Sequence, residues 1–199
     1  MLAVAARISM PEEAEEESDD ELMARVLGGP GRDEAFRSLV RRHASAVAGV
    51  VRAVLGRQEG TEDVTQEVFL RVYQARERYE PGRAPFKAWL LRIARNAALN
   101  ARRDGARRKS AALAEPDDLA ADEITPGGAL DRRARIGAVL EAVEKLPSSD
   151  RELIGLRFRE ELSYEEIASI LGSGAAALKQ KTWRALERLR SLLPTEGEP

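Results

Sequence analysis

The sequence predicts an all-α protein in which two small helical domains are joined by a flexible linker, the second domain containing a helix-turn-helix. Alanine, leucine, arginine and glutamate dominate the composition, and these residues favour helix. Apolar residues recur at helical spacing, and no alternating run of valine, isoleucine and threonine is long enough to predict a strand. Residues 105–128 lack this periodicity and contain glycine, proline and a run of acids, which is typical of a linker.

The pattern divides the 199 residues into five segments. We expect residues 1–19 to form a disordered acidic tail, because residues 12–21 hold eight acids and no base. The first domain is expected to cover 20–104, the linker 105–128 and the second domain 129–193, followed by a short tail at 194–199.

Turn-forming residues separate the predicted helices of the first domain. Three glycines and a proline at 28–31 form a turn, and no Gly-Lys-Ser/Thr follows that would make it a phosphate-binding loop. A helix is expected from Thr61 onwards. Two prolines and a glycine predict a loop at 79–85, after which a long helix runs from about Phe86 to Arg103.

The second domain has the spacing of a helix-turn-helix. The segments 149–152 and 163–166 both fit the capping box, in which a serine hydroxyl and a glutamate carboxylate satisfy free amides at a helix start. Gly172-Ser173-Gly174 predicts a turn into a basic helix over about Ala175–Arg190.

The formal net charge of −2 hides two basic blocks. Residues 83–109 hold nine bases and one acid, and residues 174–191 hold five bases and one acid. Two segregated blocks favour two contacts with a polyanion. The alternative is that they are solvated helix faces.

Other function classes are disfavoured by what the sequence lacks. The chain has no cysteine and one histidine, His43, so we expect no metal site, no cofactor and a cytoplasmic location. No stretch approaches the roughly 20 apolar residues of a membrane span, so no membrane insertion is expected. An enzyme is disfavoured because no nucleophile motif is present, and adjacent carboxylates such as Glu165 and Glu166 point in different directions on a helix.

The last predicted helix has a surface suited to duplex DNA. A helical wheel places the apolar positions Leu178, Thr182, Ala185, Leu186 and Leu189 within one arc. Lysine and arginine on the opposite side could reach guanine or phosphate, glutamine could pair with adenine, and an aromatic ring could contact a thymine methyl group. Since the apolar arc is complete without Trp183, we expect that ring to be exposed. The expected DNA-binding set is Lys179, Gln180, Lys181, Trp183, Arg184 and Arg188.

Two segments of the first domain resemble the signatures of the extracytoplasmic-function (ECF) sigma factors of bacterial RNA polymerase. One reads Glu-Asp-Val-Thr-Gln-Glu-Val-Phe-Leu over 62–70, and the other runs from Phe86 to Asn96. In the second domain, Leu146-Pro147, Glu166-Ile167-Ala168 and Leu171-Gly172 agree with sigma domain four. The resemblance covers about Asp20–Leu193. It implies a protein that binds the β′ and β subunits of core polymerase and directs it to −10 and −35 promoter DNA.

The resemblance also implies a role for the helix that carries the Asp-x-x-Gln-Glu pattern. In the family this helix docks on a coiled coil of β′, which marks Asp63, Gln66, Glu67 and Arg71. The spacing i, i+3, i+4 places Asp63, Gln66 and Glu67 on one polar face. Without the family match, that face would be interpreted as a solvated acidic surface.

The −10 element is opened and held, in the family, by the loop before the long helix and by that helix. Bases that leave the stack need a pocket, aromatic or cationic surfaces and hydrogen-bond partners. We expect Trp89, beside this surface, to belong to the core. The residues implied in −10 binding are Tyr79, Arg83, Arg92, Asn96, Asn100 and Arg103.

The sequence departs from the family pattern at the start of the basic helix. The basic helix begins Gly174-Ala175-Ala176-Ala177 where the family usually has hydroxyl-bearing residues, so hydroxyl contacts to the DNA backbone are absent. A stand-alone helix-turn-helix regulator is the alternative function. It would explain the second domain but leaves 61–96 without a role, and a test of binding to core polymerase distinguishes it from a sigma factor.

An anti-sigma factor is a further candidate partner. Because such partners bring their own zinc, the absence of cysteine from this chain is no argument for or against one.

Overall fold

The computed structural model describes residues 17–56, 60–111 and 129–193, and every regular element in these ranges is helical. A first unit contains α1 to α4 and a second unit contains α5 to α8. A 3-10 turn at Arg76–Arg78 follows α3, and a π-helical turn at Gly155–Arg159 follows α6. The helices are α1 Asp19–Gly28, α2 Arg32–Leu55, α3 Thr61–Gln74, α4 Phe86–Ala111, α5 Ala129–Lys145, α6 Ser148–Ile154, α7 Tyr164–Leu171 and α8 Ala175–Leu192.

The first unit is built around α2, which packs against α1, α3 and α4. The apolar residues that recur at helical spacing supply the core, including Val47, Val51 and Val68, each with no exposed surface. Burial of such side chains contributes about 1.5–3 kcal/mol each relative to exposure. The resulting bundle leaves the outer faces of α3 and α4 open.

In the second unit, α8 follows the turn that the sequence predicts at Gly172-Ser173-Gly174. Gly172 ends α7 with a φ of 68°, a left-handed conformation that glycine adopts without steric cost, and Gly174 is the N-cap of α8. The capping box predicted at 163–166 is present: Ser163 Oγ accepts from the Glu166 amide, and the Glu166 carboxylate accepts from the Ser163 amide at 2.7 Å.

The two units share one apolar core. A single buried cluster includes Leu90 and Leu91 of α4 together with Leu153, Leu156 and Ile167 of the second unit. Helix α6 packs on α2, and α7 packs on α4. A smaller cluster of Leu146, Ile154 and Ala185 belongs to the second unit alone.

The structure corrects two of the predicted boundaries. Helix α4 continues to Ala111, seven residues into the expected linker, because the alanines and arginines around Gly105 outweigh the helix cost of one glycine, about 1 kcal/mol. The chain is already folded at Ser18, which caps α1 through a capping box with Glu21. The rest of the expected tail, residues 1–16, and residues 112–128 and 194–199 lie outside the described residues.

The capping box predicted at 149–152 does not form. Helix α6 begins one residue earlier, at Ser148, after Pro147, and no side chain caps it. The Glu152 carboxylate instead accepts a hydrogen bond from Arg95 of α4. A partner from the other unit has therefore replaced the local one.

Candidate polymerase and DNA interfaces

Helix α3 presents the polar face that its spacing predicts. Val64, Val68 and Val72 are buried, whereas Asp63, Gln66 and Glu67 are exposed on the other side. Arg71 is half-buried, and its Nη2 lies 2.6 Å from Glu67 Oε1 in an i, i+4 ion pair. The four predicted polymerase-binding residues therefore lie on one surface of α3.

A large apolar side chain, missed by the sequence reasoning, lies within that polar face. Leu70 is 64% exposed although it stands in a helix with a well-formed core side. Its position seven residues after Asp63 returns it to the same face after two helical turns. That spacing is the signal that could have identified it. A single exposed leucine is common on protein surfaces, so Leu70 is a candidate contact because it lies within the predicted polymerase-binding face.

Helix α4 carries the predicted −10 residues as one exposed stripe. Arg92, Asn96, Asn100 and Arg103 are all exposed, and the opposite side of the helix is buried through Leu91, Ala94 and Ala98. The stripe combines cationic groups with amide donors and acceptors. Such a surface can hydrogen-bond single-stranded bases and track phosphates.

Tyr79 departs from the predicted set because it is buried, with 4% of its surface exposed. Its hydroxyl donates to Asp20, and its ring lies 5.6 Å from the Phe86 ring and 5.3 Å from the Trp89 ring. Burial, together with the hydrogen bond and charge of Asp20, raises the pKa of Tyr79 well above its ordinary value. These contacts anchor the loop to α1 and α4 through the buried Tyr79.

The rest of that loop is open to solvent. The Arg83 side chain is 77% exposed and makes a surface ion pair with Glu80, Nη1 to Oε2, at 3.0 Å. Such pairs contribute at most about 1 kcal/mol and are readily exchanged for another anion. Trp89 is partly buried and packs against the core, as expected.

Helix α8 presents the predicted DNA-facing surface. Leu178, Thr182 and Ala185 are buried against the second unit. Trp183 is 65% exposed, as the helical wheel predicts, so the core is complete without it. The exposed residues around it are Lys179, Gln180 and Arg184.

Two members of the predicted −35 set have partners inside the protein. Arg188 Nη1 pairs with Asp150, a carboxylate with 1% of its surface exposed. The half-buried Lys181 lies close enough to Glu152 for its charge to act on that carboxylate. The sequence identifies Lys181 and Arg188 as cations. It does not show which acidic residues of the neighbouring helices lie next to them.

The described ranges contain no cluster of three histidine, aspartate or glutamate residues that could hold a metal ion. The single histidine, His43, is buried in α2, and its Nε2 lies 2.7 Å from Asp19 Oδ2 of α1. This contact joins α1 to α2. In the same part of the chain, no helix is both long and apolar enough to cross a membrane.

Comparison with known families agrees with this architecture. The Sigma-70 region 2 family matches residues 39–108, and the Sigma-70 region 4 family matches residues 136–189. A chain with this fold and these two regions is a sigma-type transcription initiation factor. It belongs to the ECF RNA polymerase sigma factors, which direct RNA polymerase to promoters.

Relatives and solved structures support the same assignment. The ECF RNA polymerase sigma factor SigE of Mycolicibacterium smegmatis is 34% identical over 182 residues, covering 89% of this chain and 70% of SigE. CarQ of Myxococcus xanthus is 35% identical over 163 residues, covering 82% and 91%. CnrH, solved in complex with the cytosolic domain of CnrY, is 28% identical with a TM-score of 0.62, covering 91% and 100%. RpoE of Bartonella quintana, solved with the anti-sigma factor NepR, shares the fold at 24% identity and a TM-score of 0.68, covering 82% and 99%.

Proposed function

We propose that this sigma factor divides its task among the exposed faces of α3, α4 and α8. The observation that supports this division is that each face is polar and solvent-exposed while the opposite side of the same helix is buried. The chain then acts by binding and has no catalytic site of its own. A stand-alone regulator would have no use for the face of α3.

Helix α3 is proposed to bind the β′ coiled coil of core polymerase. Asp63, Gln66 and Glu67 supply hydrogen-bonding groups, and Leu70 supplies an apolar anchor. Arg71 holds the Glu67 carboxylate in place through their ion pair. We also expect contacts to the β subunit, so the proposed partner of the full chain is core polymerase, through its β′ and β subunits.

Helix α4 is proposed to hold the opened −10 strand. Arg92, Asn96, Asn100 and Arg103 form the contact stripe, and Arg83 extends it into the preceding loop. The proposed contact surface does not include Tyr79, because its hydroxyl donates to Asp20 and its ring packs against Trp89. Its proposed function is to fix the loop against α4.

Helix α8 is proposed to read the −35 element in the major groove. Lys179, Gln180, Trp183 and Arg184 are the reading residues, because their side chains are exposed on one surface. Arg188 and Lys181 contribute positive charge near the DNA backbone. The solved RpoE of Bartonella quintana is bound to the anti-sigma factor NepR, so an anti-sigma factor is a proposed partner of this chain, and the cytoplasm is its proposed location.

The proposed function is tested by in vitro transcription on a genomic fragment library, with core polymerase supplied with or without this protein. We expect discrete promoter-dependent transcripts only when the protein is present. The variant with Asp63→Ala and Gln66→Ala should lose core binding, whereas Glu34→Ala, which removes an exposed acid from α2, should retain it. Transcript patterns that do not change when the protein is added would contradict the assignment.

A further inference from the structure

One aromatic ring of the second unit lies against two cations, and the proposed function gives it no role. Tyr164 is the first residue of α7. The guanidinium carbon of Arg157 lies 5.2 Å from the centroid of the Tyr164 ring, and Lys179 Nζ lies 5.7 Å from the same centroid. A cation within about 6 Å of an aromatic centroid is attracted by the negative face of the ring. Tyr164 therefore connects the π-helical turn to α8.

The ring of Tyr164 is held in place by the structure around it. Its side chain is half-buried and packs against the shared apolar core. The capping box of Ser163 and Glu166 fixes the backbone at the start of α7. Arg157 is fixed as well, because its Nη1 donates to the backbone oxygen of Leu162 at 3.0 Å. The ring is therefore a preformed surface on which a flexible cation can rest.

Lys179 is the reading residue of α8 that meets this surface. It follows the buried Leu178 and is itself exposed, so its ammonium group has the ring on one side and solvent on the other. A lysine side chain has many rotamers, and fixing one of them at an interface has an entropic cost. A ring that already favours one orientation lowers that cost before DNA binds.

We propose that Tyr164 is a positioning residue for −35 recognition, and that its ring holds the Lys179 ammonium group in the orientation from which it enters the major groove. This inference rests on the proposed function, because it takes α8 as the reading helix. Arg157 holds the same ring from the π-helical turn. The role requires the aromatic face of Tyr164 and does not require its hydroxyl, which distinguishes it from a direct hydrogen bond to DNA.

A change in the electrostatics of the ring at nearly constant shape tests this role. Tyr164→Phe removes the hydroxyl and keeps the ring face. Phenylalanine analogues with increasing numbers of fluorine atoms at the same position then weaken the negative potential of that face. Each protein of the series is also made with Lys179→Ala. The matched control is the same series at Tyr73 of α3, because the guanidinium carbon of Arg76 lies 4.6 Å from the centroid of that ring.

The measurement is the ratio of holoenzyme affinities for two promoter duplexes, one with its −35 element intact and one with that element scrambled. The promoter is taken from the transcripts obtained on the genomic fragment library, and core polymerase is saturated with each variant. Effects on core binding and on −10 contacts are common to both duplexes, so they cancel in the ratio.

We expect Tyr164→Phe to keep the ratio of the unmodified protein, and full fluorination to lower it by about two- to fivefold, as expected for a cation–π contact at an exposed site. Lys179→Ala should lower the ratio by about tenfold, as the loss of one base contact does. Fluorination should have no further effect in the Lys179→Ala background, because the ring acts through that lysine. The Tyr73 series should leave the ratio unchanged.

Four results would overturn the positioning role. They are a constant ratio across the Tyr164 series, a loss that is already complete in Tyr164→Phe, an equal loss with and without Lys179, and a full ratio in Lys179→Ala. The second of these would assign the effect to the hydroxyl, and the third to Arg157 or to packing. Circular dichroism of each variant verifies that the helical fold is retained.

The unmodified holoenzyme separates this inference from the proposed function. If it does not distinguish the two duplexes, the proposed function of α8 fails, and the positioning role fails with it. If it distinguishes them and fluorination of the ring has no effect, the proposed function of α8 stands and only the positioning role of Tyr164 fails.

Discussion

Gly49 of α2 lies directly beneath the guanidinium group of Arg159, which crosses from the second unit and donates from Nη2 to the backbone oxygen of Ser45 at 3.0 Å. A Cβ atom at Gly49 would collide with that guanidinium. Glycine at position 49 therefore permits a contact between the two units, made by residues that lie more than 100 positions apart in the chain. It costs helix stability, since glycine in a helix interior is about 1 kcal/mol less favourable than alanine.

The first prediction follows from this contact. Gly49→Ala should raise the intrinsic stability of α2 but displace the Arg159 guanidinium, which is at the end of a flexible side chain. We expect a weaker association of the units, and therefore a broader distribution of distances between spin labels at Arg37→Cys and Ser169→Cys, two exposed positions, than in the unmodified protein. Gly137→Ala is the matched control, because Gly137 also lies within a helix and no atom lies near its added Cβ. Equal distance distributions in the two variants would show that Arg159 does not help to hold the two units together.

The second prediction concerns the apolar anchor of α3. Leu70→Ser should weaken binding to core polymerase by about tenfold, because burying an exposed leucine at an interface is worth roughly 1.5 kcal/mol. Folding stability should hardly change, since Leu70 is 64% exposed in the free chain. Binding can be measured by fluorescence anisotropy. Leu27→Ser, at an exposed leucine of α1, serves as the control, and similar affinities for both variants would remove Leu70 from the interface.

The third prediction concerns strand opening. Asn96→Ala should reduce permanganate reactivity of thymines in the −10 region, because the amide side chain offers both a donor and an acceptor to an extruded base. Core binding should be retained, since Asn96 lies on a different helix from the polymerase-binding face. The measurement is footprinting on duplex promoter DNA at saturating protein. Full reactivity in the variant would exclude a contact between Asn96 and the opened strand.

The fourth prediction separates base reading from charge on α8. Substituting Gln180 or Arg184 with alanine should change the preferred base at one −35 position, at a cost of about 1–3 kcal/mol for the base contact that is lost. Arg188→Ala should instead lower affinity for every sequence and leave the buried Asp150 carboxylate without its ion-pair partner. Promoter libraries randomised over the −35 element provide the measurement. A uniform loss for Gln180→Ala would argue for phosphate contact or misfolding.

The fifth prediction uses the contact between α1 and α2. Burial acts to raise the pKa of Asp19, but hydrogen bonds and charges from His43 and Arg42 outweigh it and lower the pKa below the ordinary value of 3.8. A carboxylate with a lowered pKa stabilises the fold at higher pH, and this contribution is lost as the pH falls through the folded-state value. Asp19→Asn should therefore lower stability by about 1–3 kcal/mol at pH 7. The difference from the unmodified protein should shrink below about pH 4.

Urea unfolding at pH 7 and across the acid range measures this difference. Subtracting the two pH profiles removes the contributions that both proteins share. A constant difference down to pH 3 would mean that the contacts of Asp19 with Arg42 and His43 do not control the pH dependence.

The sequence by itself determined the class of fold and the three outward faces. Helical periodicity predicted α3, α4 and α8, and it separated buried Val64 and Leu178 from exposed Asp63 and Trp183. This succeeds because the side chains of one helix are arranged by a fixed rotation of about 100° per residue. Motif spacing also identified the capping box at 163–166, because its partners lie within one turn.

Only the tertiary structure decided which polar groups meet across the chain. Glu152 fits a local capping box in sequence, yet it pairs with Arg95, which is 57 positions away. Tyr79 looks available for DNA, but Asp20 and the rings of Phe86 and Trp89 enclose it. Periodicity specifies the direction of a side chain from its own helix, whereas the identity of its partner depends on how separate helices pack against one another.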